Sequence, residues 1–562
     1  MSATLLAALG LSALFLGYRF YSRFIAEKIY QLDPDFVTPA HTKRDDIDYI
    51  PTNRFVLWGH HFTAVAGAAP IIGPSIAVIW GWLPAVIWVV VGTIFFAGIH
   101  DFGAIWASVR NDARSIGALT RDAVGARAQH LFMVVIFFLL LMVNAVFAVA
   151  ISDALIAAPS AVIPTWSAIA VALVIGVLIY KVHTSIVWPT IGGTIILYAM
   201  IFVGDSIPVA LPDTLFGLAP GPAWIIILFL YAMVASLLPV WLLLQPRDFI
   251  NGIQLAVGLV LLYGAVLMAG PTIVAPAFNT NAPSGAPPLV PLLFVTIACG
   301  AISGFHGLVS SGTTSKQLNK ETDARFVGYL GSVGEGAVAL VVIIATTAGF
   351  ATLSEWQGHY GEFGAGGIPM FVLGGSRIVS AGLGLPIEFS ATLLTVMAVL
   401  FAGTTMDAGV RLQRYIIQEW GVIYKIRLLQ NGYFATVVAV GACLALAFGA
   451  GGTGGTGGML LWPLFGTTNQ LLAGLTLLVI SVLLVKLGRP SRYTLVPMVF
   501  VTGMAFVAAL FQLGSLYREG SYVLLVMDAM IIVAAIFVML EAVSALMAAR
   551  SARAELSAAA DG

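Results

Sequence analysis

The sequence predicts an all-α polytopic membrane protein with about fifteen transmembrane helices. Three observations carry that class. Of 562 residues, 60% are hydrophobic and 9% are charged, where a soluble chain carries about 25% charged residues. Apolar runs long enough to cross a bilayer recur along the whole chain. Lys and Arg fall almost entirely in alternate connecting segments, as the positive-inside rule requires. The balance of 26 Lys+Arg against 26 Asp+Glu leaves no basic face for phosphates, so nucleic acid is excluded as a partner. Lipid is the main solvent.

The runs lie at about 4–20, 55–80, 83–107, 131–157, 162–180, 186–203, 223–244, 251–270, 290–311, 328–353, 386–408, 431–450, 459–486, 494–512 and 521–545. The first has no basic segment before it and no clear small-residue cleavage site, and Arg19, Arg23 and Lys28 follow it. It reads as a retained helix with its N-terminus outside. Alternating the segments from there puts all Lys and Arg on the inner side except Arg377 and Arg518. The C-terminus then lies inside. Segments 110–128, 315–327 and 411–428 are charged and follow spans on the inner side, which predicts interfacial helices.

Two spans carry helix breakers. The second contains Gly67, Pro70, Gly73 and Pro74 within eight residues. Pro lacks the N–H and Gly tolerates non-helical angles, so this helix should unwind. The seventh contains Pro239, with Pro246 at its inner end. Pairing spans 2–6 with spans 7–11 separates the two breaks by five spans. Five is odd, so the halves would be inverted, the arrangement of transporters that bind at a repeat interface. The expected organisation is an added helix and inner linker at 1–53, a ten-helix 5+5 inverted-repeat core at 54–408, and at 409–562 an interfacial segment, four further spans and an inner tail.

A half-helix starting after Pro70 or Pro239 presents free N–H groups and a positive dipole end, which favour an anion such as a carboxylate. No mid-span Arg is evident to do that work. The substrate site is therefore expected at Gly67, Ala68, Ala69, Pro70 and Gly73, facing Pro239 and Trp241, with Trp241 as an apolar wall.

Other motifs are bland. Cys299 and Cys443 lie in apolar runs and read as small buried hydrophobes. The Gly-rich stretch 451–458 lacks the Lys and flanking strand of a phosphate loop and reads as an outer loop. Neither an HExxH nor a GxSxG-type motif is present.

Longer runs carry a resemblance. They are His60 to Pro74, His100-Asp101-Phe102, Leu244 to Phe249, and Cys299 to His306 followed by Ser310 to Gln317. Ala402 to Asp407 with Arg411 and Arg414, and Trp462 to Ala473, complete the set. Together they resemble the carbon starvation protein A (CstA) family over about residues 53–475. Some relatives have Gln-Asp-Phe at the position of His100-Asp101-Phe102, and the longest members are longer than this chain. The resemblance implies a LeuT-like fold of the amino acid–polyamine–organocation superfamily. It implies a bacterial inner-membrane importer, not an enzyme, that carries pyruvate or peptides with protons or sodium during carbon starvation. It also implies that Ser303 seats a cation beside the first broken helix, and that Lys181 competes as a proton site.

The expected topology places His60, His61, His100, Asp101, His306, Glu335 and Asp407 in one inner layer, because 1.5 Å per helical residue puts each at similar depth. Intramembrane ionisable groups are costly and are usually paired. Two readings follow. One is a proton relay, since imidazole titrates near neutral pH. The other is a divalent metal such as zinc held by His61, His100, Asp101 and His306. A metal-dependent intramembrane enzyme or sensor is the alternative function that the second reading supports.

Overall fold

The computed structural model describes all residues except 47, 186, 284–285, 363, 450–456 and 562, with backbone alone at 180, 457–460, 550 and 552–561. The outer-loop stretch from Gly451 to Thr456 lies outside the described residues. Among them, thirteen helices are long and apolar enough to cross a membrane, and fourteen if one bent pair counts as a span.

The first helix, α1 (Ala3–Tyr30), is longer than expected and includes Arg19, Arg23 and Lys28. The bent pair follows as α2 (Arg54–Ala66) and α3 (Ala69–Trp80), inclined by 44°. Asn53 starts α2 by accepting the Phe55 N–H at 2.9 Å. The break falls at Gly67, whose φ is +50°, a conformation that favours glycine. Ala68 O then accepts the N–H groups of Ile71 and Ile72 and starts α3. Pro70 sits in the first turn of α3, where its missing N–H costs nothing.

Next come α4 (Trp82–Val109), α5 (Ala126–Ala157), α6 (Pro159–Ile179), α7 (Val187–Ser206), α8 (Pro220–Leu237) and α9 (Leu244–Ala269). Within 110–128 a short helix, Ile116–Ala123, is capped by Ser115. The expected break inside the seventh span is corrected here. α8 runs unbroken to Leu237, residues 238–243 form a turn, and α9 is a full span of its own. Pro239 ends a helix rather than interrupting one. Arg411 donates to Ala235 O and Leu238 O, and Arg414 to Ser236 O, so the free carbonyls of this helix end are satisfied by cations.

The second discontinuity lies in the ninth span instead. Helix α10 (Leu289–Thr296) stops, the chain is irregular over 297–303, and α11 (Gly304–Val309) resumes. Gly300 has φ +96°. Irregular backbone at this depth needs partners from surrounding helices. Trp88 Nε1 donates to Ile297 O at 3.2 Å, Thr93 Oγ1 to Gly300 O at 3.1 Å, and Gln470 Nε2 to Phe294 O at 2.9 Å.

Downstream, residues 318–324 turn directly into α12 (Arg325–Ala348), so no interfacial helix forms over 315–327. Helix α13 (Gly367–Leu383) was not expected. Helix α14 (Ile387–Ile423) is 37 residues long. It absorbs the segment expected to lie at the interface from 411, and the expected boundary at 408 falls inside it. Burial explains the continuity: Asp407 and Arg411, one turn apart, are 2% and 4% exposed. The chain ends with α15 (Gly432–Gly449), α16 (Gly457–Lys486), α17 (Arg492–Arg518) and α18 (Tyr522–Asp561).

Helices α5, α12, α14 and α16 are the most enclosed, whereas α7 exposes Trp188, Ile195 and Phe202, as a lipid-facing helix does. The central place of α16 matters. Its Asn469 Oδ1 accepts the Phe305 N–H at 2.9 Å, so a helix expected outside the core holds the start of α11.

Candidate functional site

The two breaks meet. A Cβ added at Gly300 would lie 3.6 Å from Pro70 Cβ, and one added at Gly73 would collide with Thr296 O. One added at Gly67 would collide with Thr405 Oγ1 on α14 and lie 3.2 Å from Phe147 on α5. Residues 67–73 are all buried. So Gly67, Ala68, Ala69, Pro70 and Gly73 do form one wall, but its partners are Thr405, Phe147 and the 297–303 segment. Trp241 instead lies beneath Lys181, with Nζ 5.2 Å from the ring centroid. The carbonyls of Trp241 and Leu242 press on Gly176 of α6. Pro239 is in the same turn, and Lys181 is exposed. These three residues belong to the α6–α8 periphery because α8 ends before Pro239. Ser303 lies in the second break, where its Oγ is held by Asn469 at 3.0 Å and by Cys299 Sγ at 3.2 Å.

Below the first break, Asn144 of α5 donates to Gln413 of α14 at 3.1 Å. Further along the same two helices opens a cavity of about 310 Å³, lined by Ile136, Leu140, Leu412, Ile416, Lys316 and Tyr49 among others. Lys316 Nζ lies 5.5 Å from the ring of Tyr49 and 5.7 Å from that of Tyr415. Burial, with Asp48 and Asp45 nearby, pushes the Tyr49 phenol up, so it stays a hydrogen-bond donor. The cavity is thus lined by two cations, Lys316 and Arg114, two carboxylates, Asp48 and Glu419, and the rings of Tyr49 and Tyr415, in line with the Gly67 break along α5 and α14; Arg114 is paired with Asp122.

The expected single layer of ionisable groups divides into two networks. In the first, His60 Nδ1 meets Asp248 Oδ2 at 2.8 Å. Arg247 Nη1 pairs with Asp407, and its Nη2 lies 3.7 Å from Asp248 Oδ1. Tyr231 OH donates to Asp407 Oδ2 at 2.7 Å. Four helices, α2, α8, α9 and α14, are tied together here. Arg247, in the first turn of α9, is 3% exposed, so a buried cation stands at the end of a span rather than in its middle. It was hidden because the chain around it read as the inner end of a span, whereas the fold encloses the start of α9.

The second network is centred on Asp101 of α4. His100 Nδ1 meets Asp101 Oδ1 at 2.7 Å, His306 Nδ1 meets Oδ2 at 2.8 Å, and Ser332 Oγ donates to Oδ2 at 2.6 Å. His306 Nε2 faces Glu335 Oε2 at 3.3 Å. His61 stands beside it, with Nδ1 bound to Thr314 Oγ1 at 2.9 Å. Of the four residues expected to hold a metal, His100, Asp101 and His306 are joined through the Asp101 carboxylate, while His61 is bound to Thr314. Among the described residues, the group whose donor atoms lie within 4.8 Å of one another is Cys299, His306 and Glu335. The sequence assigned Cys299 to the apolar core. Only the break after Thr296 turns its thiol toward His306 and Glu335.

A family model for carbon starvation protein CstA matches residues 2–359 and 350–508. The peptide transporter CstA of Campylobacter jejuni is 33% identical, with 89% of this chain and 79% of the relative covered. The peptide transporter CstA of Escherichia coli K12 is also 33% identical, over 86% of this chain and 77% of its own. The pyruvate/proton symporter BtsT of the same strain is 30% identical, over 89% and 80%. In fold, a manganese transporter of Eremococcus coleocola superposes with a TM-score of 0.52 at 12% identity, covering 90% of this chain and 99% of its own.

Proposed function

The chain belongs to the carbon starvation protein CstA family of membrane transporters, and from that premise we propose that it is a proton-coupled secondary importer of pyruvate-like carboxylates or short peptides. One observation supports the coupling. Thr405, which packs on the Gly67 break, and Asp407, which pairs with Arg247, are two residues apart on α14. A proton on Asp407 removes the partner of Arg247 and frees it toward Asp248, 3.7 Å away and already bound to His60 of α2. Protonation and substrate binding then act on the same two helices. The substrate reaches the break through the cavity, where Lys316 attracts its carboxylate.

The repeat is better assigned to the two breaks that meet. Seven spans separate the start of α2–α3 from the start of α10–α11, again an odd number, so the pair runs in opposite directions. With α10–α11 counted as one span and α13 as an outer helix, the chain crosses about fifteen times. The N-terminus then lies outside and the C-terminus inside, in a bacterial inner membrane. The transporter names of the relatives leave the alternative of an intramembrane enzyme without support.

Uptake of labelled pyruvate and of a labelled dipeptide into proteoliposomes tests this reading. An imposed proton gradient should accelerate one of them, and Asp407→Asn should abolish that acceleration. Acceleration by sodium alone, or an unaltered proton response in the variant, would overturn it.

A further inference from the structure

Cys299, His306 and Glu335 have no role in the transport reading above. They come from two places in the chain, the unwound 297–303 segment with the start of α11, and α12. All three side chains are buried, at 4%, 0% and 1% exposure. Their donor atoms lie within 4.8 Å of one another. Tetrahedral bonds of about 2.0–2.3 Å set donor atoms roughly 3.3–3.6 Å apart. His306 Nε2 and Glu335 Oε2 already stand at 3.3 Å.

The hydrogen bonding around the group is lopsided. His306 Nδ1 is bound to Asp101, which leaves Nε2 pointing at Glu335 and Cys299. His306 Nε2 faces Glu335 Oε2 at 3.3 Å, and the Gly300 backbone and the Cys299 thiol approach the same pair, but none of these contacts has the geometry of a full hydrogen bond. A buried carboxylate needs a positive partner, which is either a protonated His306 or a cation held between the two side chains. The supports stand one layer further out. Asp101 holds His306 and is itself held by Ser332 and His100. Asn469 Nδ2 donates to Cys299 Sγ at 3.3 Å, a bond that stabilises a thiolate. A carboxylate behind an imidazole behind an ion is the usual outer arrangement of a protein metal site.

We infer that Cys299, His306 and Glu335 bind a borderline-soft divalent cation of the zinc type. Thiolate with imidazole and carboxylate suits zinc or a neighbouring first-row ion and disfavours sodium, magnesium and calcium. The charges also balance, because the ion offsets a Cys299 thiolate and the Glu335 carboxylate. Three protein donors leave one position open, unlike a closed four-donor structural site. The ion would clamp the second break to α12. This inference goes beyond the transport reading, and metal content does not depend on what the protein carries.

Elemental analysis of protein grown with zinc and purified without chelator gives the direct test. The full chain should carry about one ion. Cys299→Ser, which keeps the packing, and Glu335→Gln should each lower occupancy at least about tenfold, and Asp101→Asn should weaken binding about 10–100-fold. Trp241→Phe, in the turn after α8 and away from both networks, should retain the ion. A second measurement needs no intact variant at Glu335. Cobalt-loaded wild type should show thiolate-to-cobalt charge-transfer absorption, and Cys299→Ser should abolish it. Wild type that stays metal-free and takes up neither zinc nor cobalt would overturn the site and leave His306–Glu335 as a proton pair. Full occupancy in the Cys299→Ser and Glu335→Gln proteins would overturn it as well.

Discussion

Arg247 of α9 pairs with Asp407 of α14, 160 positions away in the chain, and neither side chain is more than 4% exposed. Removing one partner of such a buried pair strands the other charge. Asp407→Asn should therefore destabilise the protein by about 3–5 kcal/mol, whereas the double variant Arg247→Met/Asp407→Leu should recover most of that loss. Unfolding followed in detergent measures both. Equal destabilisation of the single and double variants would mean that the pair is not the source.

The Gly67 break should not tolerate a side chain. Its φ of +50° is strained for any other residue, and the space beside it is taken by Thr405 and Phe147. Gly67→Leu should reach the membrane and fail to take up substrate. Normal uptake by that protein would move the substrate site elsewhere.

Lys316 should matter for capture more than for turnover. It lines the cavity beside Asp48 and Glu419 without an ion pair among the described residues, and in the proposed function its field attracts an incoming carboxylate. Lys316→Gln should raise KM several-fold, equivalent to about 1 kcal/mol, with the maximal rate little changed. A drop in maximal rate at constant KM would contradict that role.

Trp241 offers a negative control. It packs under Lys181 in the turn after α8, not on the Gly67 wall. Trp241→Phe should leave KM within about twofold of wild type, the usual range for a substitution away from a site. A large rise in KM would restore Trp241 to the substrate site.

Arg411 and Arg414 cap α8 through the carbonyls of Ala235, Ser236 and Leu238. Arg411→Met leaves two of those acceptors unbonded and should cost about 1–3 kcal/mol. Measured stability within a few tenths of wild type would show that water replaces the cation.

Much of this molecule is local, and the sequence alone determined it. Span length and polarity follow from the thickness of the bilayer, so an all-helical membrane protein could be read from composition and apolar runs. The first break could be read too, because Gly67 and Pro70 enforce it within a few residues. The carboxylates and imidazoles were visible as costly residues that must pair. Tertiary structure decided which pairs form. Pro239 is a breaker wherever it stands, but only the position of α9 makes it a helix end. The 297–303 segment contains no proline, and its unwinding depends on Trp88, Thr93, Asn469 and Gln470, which arrive from α4 and α16. Arg247 meets Asp407, and Cys299 meets His306 and Glu335, because helices distant in sequence pack together. A buried charge or thiol is fixed by whatever surrounds it in space, and its chain neighbours do not specify those surroundings.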